Sequence, residues 1–276
     1  MVYKKSIEEI RIIREGGFIL AQILRELAAE VKPGVSTLAL ENILVKRIVA
    51  AGGRPAFKDY DMGGGVLFPS ALCASINNEV VHGTAIPGRL LKSGDIIDLD
   101  IGMEWPVDPK IREKVKAPIN SLSKLGGFYT DTCVTVAVGK VSQEAKKLIK
   151  VTRECLEAGI SEAKPGNTLR DIGIAVSKIA KRHGYGVVRD LVGHGVGYFA
   201  HEEPDVFNYE IPERSRENMV LEEGMVIAIE PMINAGTWKI KVADNDYTIL
   251  TADDSLSAHF EHTVAITKDG PVIMTQ

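Results

Sequence analysis

The chain opens with a helical spacing of apolar residues. Apolar side chains recur at intervals of three and four over residues 10–27, which predicts an amphipathic helix. Ser6 and Glu9 have the spacing of a capping box at its start, and the Pro-Gly pair at 33–34 ends the pattern. A second helix is predicted over about residues 36–52, where it meets a pair of glycines.

Short runs rich in Val and Ile, bounded by Gly and Pro, predict β-strands. They cover residues 96–101, 134–138, 226–229 and 264–266. Residues two apart on a strand share a face, so Asp98 and Asp100 are expected to point the same way. Helices precede strands in each half of the chain, which indicates an α+β fold with an antiparallel sheet covered by helices.

Several segments occur twice in the same order. The matched pairs are 91–100 with 221–230, 129–134 with 259–264 and, as a shorter echo, 30–38 with 162–169. The first two pairs share an offset of about 130 residues, and each ends on or contains a carboxylate. We therefore predict one domain over residues 1–276, built from two pseudo-symmetric halves at about 1–139 and 140–276.

A proline- and lysine-rich stretch at about 103–127 interrupts this pattern. It lies between the predicted strands that carry Asp100 and Asp131, so we interpret it as a long insertion at the tip of a hairpin. A solvated loop is the simpler interpretation, and contact with an acidic partner is the alternative.

Composition limits the function further. The 276 residues are 45% apolar and 25% charged, with a net charge of −4, which excludes general disorder and argues against nucleic-acid binding. The charged start of the chain and the glycines of its longest uncharged run, 62–78, fit neither a signal peptide nor a membrane span. Cys73, Cys133 and Cys155 cannot all pair, which is typical of a reducing compartment. We expect a cytoplasmic protein without membrane or nucleic-acid partners.

Four carboxylates lie within or beside apolar strands: Asp100, Asp131, Glu230 and Glu261. Taken singly, each could face solvent on a half-exposed strand. Their matching positions in the two repeats predict that all four converge where the halves meet. Four negative charges in one apolar pocket repel each other strongly, and two divalent cations would neutralise them.

Histidines near these strands are candidate ligands or substrate contacts. His194 and His201 lie seven residues apart in a glycine-rich stretch, His82 follows a predicted strand, and His259 is one strand step from Glu261. Any one of them alone is more often a core or capping residue. Carboxylates with an imidazole suit Mn²⁺, Fe²⁺, Co²⁺ or Zn²⁺ in a hydrolytic centre rather than a structural zinc site.

The sequence resembles the type I methionine aminopeptidases, M24-type metallopeptidases with the pita-bread fold. The motifs that carry the resemblance lie at residues 75–83, 94–100, 129–132, 193–204, 229–236 and 255–263. The match covers nearly the whole chain. The carboxylate pattern alone is shared with relatives such as aminopeptidase P and prolidase.

The resemblance implies a ligand set for two divalent ions, which are cobalt, manganese, iron or zinc. In this scheme Asp100 binds one metal, whereas Asp131 and Glu261 bridge both. His194 and Glu230 complete the shell of the second metal.

The resemblance also implies the activity and the catalytic residues. Glu230 is expected to move the proton of the attacking water, and His82 and His201 to contact the substrate. The protein is expected to be a monomeric hydrolase that removes the initiator methionine from nascent chains with a small second residue, at the ribosome.

Three departures from the family pattern bear on specificity. The hairpin insertion is longer than in the common bacterial form, and His259 stands where the family has Gln. Residues 61–69 replace a stretch that usually lines the methionine pocket. Phe68, Phe199 and Tyr247 are the aromatic residues that we expect to contact the substrate instead.

Two alternatives keep the same fold. One is an X-Pro aminopeptidase or prolidase-like peptidase, against which the short N-terminal part argues. The other is a non-enzymatic binding protein, against which the complete ligand set argues. A dinuclear phosphoesterase is a further possibility on the carboxylates alone, but no phosphate-binding arginines lie near them in the sequence.

Overall fold

The computed structural model describes residues 2–108, 110–111 and 126–276. Its helices are α1 (Ile7–Ala29), α2 (Thr37–Ala50), α3 (Gln143–Glu162) and α4 (Leu169–Arg182). The predicted capping box is present, because the Ser6 side chain accepts from the Glu9 N–H and the Glu9 side chain accepts from the Ser6 N–H. In the described part of the chain, no helix is both long and apolar enough to cross a membrane.

The strands are short apart from one central hairpin. They are β1 (Arg54–Pro55), β2 (Leu72–Ile76), β3 (Glu79–Val81), β4 (Ile96–Trp105), β5 (Phe128–Ala137), β6 (Gly186–Val187), β7 (Gly193–Gly195), β8 (Glu202–Val206), β9 (Val226–Ile229), β10 (Met232–Asn234), β11 (Ile240–Val242), β12 (Ile249–Thr251), β13 (Ser257–His259), β14 (Glu261–Thr267) and β15 (Gly270–Ile273).

An antiparallel sheet runs through both halves of the chain. Its strand order is β1-β4-β5-β14-β9-β7-β8, with β2 also paired to β4 and β15 to β14. The halves meet where β5 pairs with β14, and Glu261 there lies opposite Cys133. Two smaller sheets, β13-β10-β6 and β11-β12-β3, complete the structure.

Helices pack on one face of the main sheet. Leu20 and Leu27 of α1 and Leu44 of α2 pack on Leu99 and Ile101 of β4 in one core cluster. In the second half, side chains of α3 and α4 pack in the same way on β9. Each buried leucine contributes about 1.5–3 kcal/mol by leaving water. Because neighbouring residues of a strand alternate between faces, Asp98 and Asp100 of β4 point away from these helices.

The repeated segments make equivalent backbone contacts in the two halves. The equivalent hydrogen bonds run from Gly34 N to Leu91 O and from Leu91 N to Val35 O in the first half, and from Gly166 N to Leu221 O and from Leu221 N to Asn167 O in the second. In each half the loop between the two helices is thereby held by the segment that leads into a central strand.

The hairpin insertion begins later than predicted. β4 and β5 stay paired from Ile96 opposite Ala137 to Trp105 opposite Phe128, so residues 103–105 are strand and not loop. Trp105 also donates its indole N–H to the Ala51 carbonyl at 3.0 Å, which holds the strand end against the end of α2. Residues 109 and 112–125 of the predicted insertion lie outside the described residues.

Candidate metal centre and substrate cavity

A cavity of about 800 Å³ opens on the face of the sheet opposite the helices. The predicted site residues that line it are Asp100, Asp131, Glu230, Glu261, His194, His82, His201 and Phe68. His259 also lines it. The four carboxylates from the two halves therefore share one cavity.

Strand register explains why the carboxylates come together. Cys133 of β5 lies opposite Asp100 of β4 on one side and opposite Glu261 of β14 on the other. Asp131 is two residues before Cys133, on the same face of β5. Glu230 directly follows β9, the strand next to β14 in the sheet. Four adjacent strands thus each deliver one carboxylate to the same face.

His194 connects the carboxylates of the two halves. Its Nε2 lies 3.4 Å from Asp131 Oδ2 and 3.5 Å from Glu230 Oε1. Asp131, His194 and Glu261 each offer one ligand atom within 4.8 Å of the others. Nδ1 of His194 lies 2.8 Å from the Gly195 carbonyl, which as an acceptor requires the proton on Nδ1. Nε2 then presents its lone pair to the centre, as a metal-ligating imidazole does.

Burial makes the ionised carboxylates costly in the absence of a cation. It is the main cause that raises the pKa of Asp100 to about 7 and that of Glu230 to about 8. The pKa of Glu261 is raised further, by burial and then by the Asp131 charge, and burial also raises the pKa of Asp131. Divalent cations would reverse these shifts by stabilising the charged forms.

The side chains present fit a divalent metal centre. Asp100 Oδ1 is buried and has no hydrogen-bond partner among the described residues, as expected of an oxygen that accepts a metal ion. The donors are four carboxylates and one imidazole, which suit first-row divalent ions rather than the thiolates of structural zinc sites.

The metal-free protein is expected to lose stability as pH rises from about 6.5 to about 8. Asp100 and Glu230 have ordinary pKa values of 3.8 and 4.5 and folded values of about 7 and 8. Between the ordinary and the folded pKa values, the folded state binds more protons than the unfolded chain. The two carboxyl groups therefore add to the free energy of unfolding at low pH, and this contribution is lost as pH rises through 7–8. The histidines with lowered pKa values act in the opposite direction, but only below their ordinary value of 6.5.

Melting temperatures of chelator-treated protein across this pH interval test the prediction. Saturating Mn²⁺ should abolish the decrease, since bound cations hold the carboxylates in their charged form. A melting temperature of the metal-free protein that stays constant or rises would contradict it.

Two further histidines face the cavity as neutral rings. Burial lowers the pKa of His82 to about 4, and its Nδ1 lies 3.3 Å from the Tyr247 carbonyl. His201 is accessible from the cavity but closely surrounded by protein, which lowers its pKa to about 3. The phenol oxygen of Tyr60 lies 2.7 Å from Nδ1 of His201 and orients the ring. Both can exchange hydrogen bonds with a substrate without adding charge.

A buried ion pair holds the loop that carries His201. Lys5 pairs with Glu202, and their side chains are 1% and 0% exposed. Glu202 also accepts from the backbone N–H groups of Tyr198 and Phe199. The N-terminal segment thus anchors the loop between His194 and His201, and burial of Lys5 lowers the pKa of its ammonium group.

The aromatic wall differs from the predicted one. Phe68 lines the cavity, but Tyr247 does not. The Tyr247 ring packs against Phe68, with the ring centroids 5.9 Å apart and the rings almost perpendicular. Phe199 does not line the cavity, because its ring turns toward Tyr3, 6.4 Å away. The predicted role of these residues as direct substrate contacts therefore rests on Phe68.

Phe57 and Tyr60 line the cavity beside Phe68 but were not predicted as site residues from the sequence. These residues lie in the loop after β1, where no periodic pattern predicts their direction. Their signal was the cluster of aromatic residues just before the strand that leads to His82.

Comparison with known proteins identifies the class of protein. The sequence profile of metallopeptidase family M24 matches residues 11–107 and 111–268. The chain is 41% identical over 275 residues to a methionine aminopeptidase of Clostridium acetobutylicum, covering 100% of this chain and 99% of that protein. It is 40% identical to methionine aminopeptidase 1 of Bacillus subtilis, covering 100% of both.

Solved structures show the same fold. A methionine aminopeptidase of Thermotoga maritima matches with a TM-score of 0.86 and 36% identity over 100% of both chains. A prolidase of Pyrococcus horikoshii matches with a TM-score of 0.71 at 22% identity, covering 99% of this chain and 63% of that one, which is a likeness of fold alone. The predicted α+β pita-bread fold is confirmed. The chain belongs to metallopeptidase family M24 and, within it, to the methionine aminopeptidases.

Proposed function

We propose that the cavity is the active site of this enzyme and that it holds two divalent ions. The protein is a metal-dependent aminopeptidase that removes the N-terminal methionine of polypeptides. The observation that carries the site assignment is the convergence of Asp100, Asp131, Glu230, Glu261 and His194 in one buried centre.

These five residues would hold the metals. Asp100 would bind one ion, Asp131 and Glu261 would be shared by both, and His194 and Glu230 would complete the coordination of the second ion. The donor set supports manganese, iron, cobalt or zinc. When bound, the ions polarise the scissile carbonyl and lower the pKa of water so that it can attack.

The chain's own residues position the substrate and move protons. The carboxylate of Glu230 takes a proton from the attacking water and passes it to the leaving amine. Neutral His82 and His201, whose rings face the cavity, hydrogen-bond the reacting amide and stabilise the negative oxygen that develops on it. Phe68, together with Phe57 and Tyr60, supplies apolar surface for the methionine side chain.

The finer aspects of function are also proposals. The substrates are nascent chains with a small second residue, met at the ribosome. The enzyme acts as a monomer in the cytoplasm, where its three buried, unpaired cysteines stay reduced. It works as one catalytic domain of two related halves, which the equivalent backbone contacts of both halves support.

A peptide comparison tests this proposal. Metal-free protein is incubated with Met-Ala-Ser or with Pro-Pro and X-Pro peptides, and then receives Co²⁺ or Mn²⁺. Metal-dependent release of methionine alone is expected. Turnover of the proline peptides instead would favour an X-Pro peptidase, and no turnover with either metal would favour a non-enzymatic role.

Replacing His201 with Ala should lower kcat/KM by about 10-fold to 1000-fold without lowering metal content. Its ring hydrogen-bonds the substrate in this proposal but is not a metal ligand. Methionine release and elemental analysis of the same samples measure the two effects. His183→Ala is a matched control, because His183 is exposed at the end of α4. Loss of metal from His201→Ala would make His201 a ligand instead.

A further inference from the structure

One imidazole nitrogen in the cavity makes no hydrogen bond within the described part of the chain. His259 is 2% exposed, and its Nε2 is buried without a hydrogen bond to any residue that the structure describes. The same nitrogen lies 3.6 Å from Oε2 of Glu230. A buried imidazole nitrogen without a hydrogen bond is costly, so the orientation of the His259 ring requires an explanation.

The backbone of His259 is held firmly in place. Its N–H donates to Thr135 Oγ1 at 2.9 Å, and its carbonyl lies 3.0 Å from the same hydroxyl. Asp98 Oδ1 is 3.3 Å from the His259 nitrogen and accepts from Thr135 Oγ1 at 2.6 Å. On the other side, His259 pairs with Met232 across β10 and β13. The imidazole is therefore presented to the cavity from a fixed point.

The two oxygens of Glu230 face two different imidazoles. Oε1 lies 3.5 Å from His194 Nε2, whereas Oε2 lies 3.6 Å from His259 Nε2. His194 belongs with Asp131 and Glu261 to the group of atoms close enough to share an ion, and His259 does not. The two histidines are thus distinguished by their surroundings, and His259 has Glu230 as its near neighbour.

We propose that His259 is a positioning residue whose Nε2–H donates a hydrogen bond to Glu230. The inference rests on the proposed function, in which Glu230 is both a metal ligand and the proton acceptor. The 3.6 Å between Nε2 of His259 and Oε2 of Glu230 exceeds the usual N···O distance of a hydrogen bond by a few tenths of an ångström. A small rotation of either side chain closes this difference. The bond would hold one carboxylate oxygen so that the other faces the metal.

Metal titration of three proteins tests this assignment. Wild type, His259→Gln and His259→Leu are made metal-free and titrated with Mn²⁺ by calorimetry, and kcat and KM are measured at saturating metal. We expect His259→Leu to bind Mn²⁺ about 10–100-fold more weakly, with a reduced kcat and an almost unchanged KM. His259→Gln should restore both values to within a few-fold, because its amide N–H₂ can donate in place of the ring.

Two results would overturn the proposal. Unchanged Mn²⁺ affinity and kcat in His259→Leu would mean that Glu230 needs no donor. Equal weakening in His259→Gln and His259→Leu would mean that the ring nitrogen itself coordinates the ion. Circular dichroism checks folding, and His259→Ala replaces the leucine variant if that variant does not fold.

A different result would contradict the proposed function. It is contradicted if the wild-type protein releases no methionine with any metal. An active wild-type enzyme beside an unaffected His259→Leu variant would contradict the role of His259 alone.

Discussion

Replacing Glu230 with Gln is expected to lower kcat by about 10²–10⁴-fold, the range that general acid–base catalysis contributes. The amide cannot accept the proton of the attacking water, although its oxygen can still face a metal. Metal should therefore remain bound in at least one position, because Asp100, Asp131 and Glu261 are intact. Steady-state methionine release, together with metal analysis of the purified variant, measures both effects.

Glu203→Gln is the matched control for this substitution. Glu203 lines the same cavity but is exposed, so losing its charge should change kcat by only a few-fold. Nearly normal turnover of Glu230→Gln would remove Glu230 from proton transfer.

Asp131→Asn should abolish metal-dependent activity and reduce the bound metal. Asp131 is 3% exposed and lies 3.4 Å from Nε2 of His194, at the junction of the two halves. A neutral amide replaces a charged oxygen that is proposed to serve both ions, so each ion loses attraction at once. We expect methionine release to fall to the level of chelator-treated enzyme, and elemental analysis to show fewer than the wild-type number of ions.

Asp98→Asn is the matched control, because it neutralises a buried acidic side chain that is not a proposed metal ligand. Asp98 is also buried on the cavity face of β4, but it accepts a hydrogen bond from the Thr135 hydroxyl and does not line the cavity. Its amide oxygen can still accept from Thr135, so metal content should stay unchanged. Full metal loading of Asp131→Asn would contradict the assignment of Asp131 as a ligand.

Local patterns in the sequence predicted much of the fold. The capping box at Ser6 and the apolar spacing after it correspond to α1, and the β-branched runs around Asp100 and Glu230 correspond to β4 and β9. These features depend on neighbouring residues only, so they can be recognised without knowing what packs against them. The base of the insertion was misjudged, because residues 103–105 stay in β4 only through their pairing with β5.

Part of the candidate site was likewise predictable from the sequence, and part was not. Repetition in the sequence predicted that Asp100, Asp131, Glu230 and Glu261 would meet, and the strand register brings them into one cavity. It did not predict that Phe199 would turn away from the cavity while Tyr60 faces His201. Directions of loop side chains depend on contacts with distant segments, and a single sequence does not record these.

By itself, the sequence determined the elements, the order of its repeated segments and the acidic chemistry of this protein, since periodicity and residue type are local properties. Only the tertiary structure decided which side chains share the cavity and that the N-terminal Lys5 anchors the loop of His201. It also decided that Nε2 of His259 faces Glu230 at 3.6 Å while hydrogen-bonding no described residue. Those outcomes follow from the pairing of strands far apart in the chain, which sets distances and burial, and thereby the pKa values of the acidic groups.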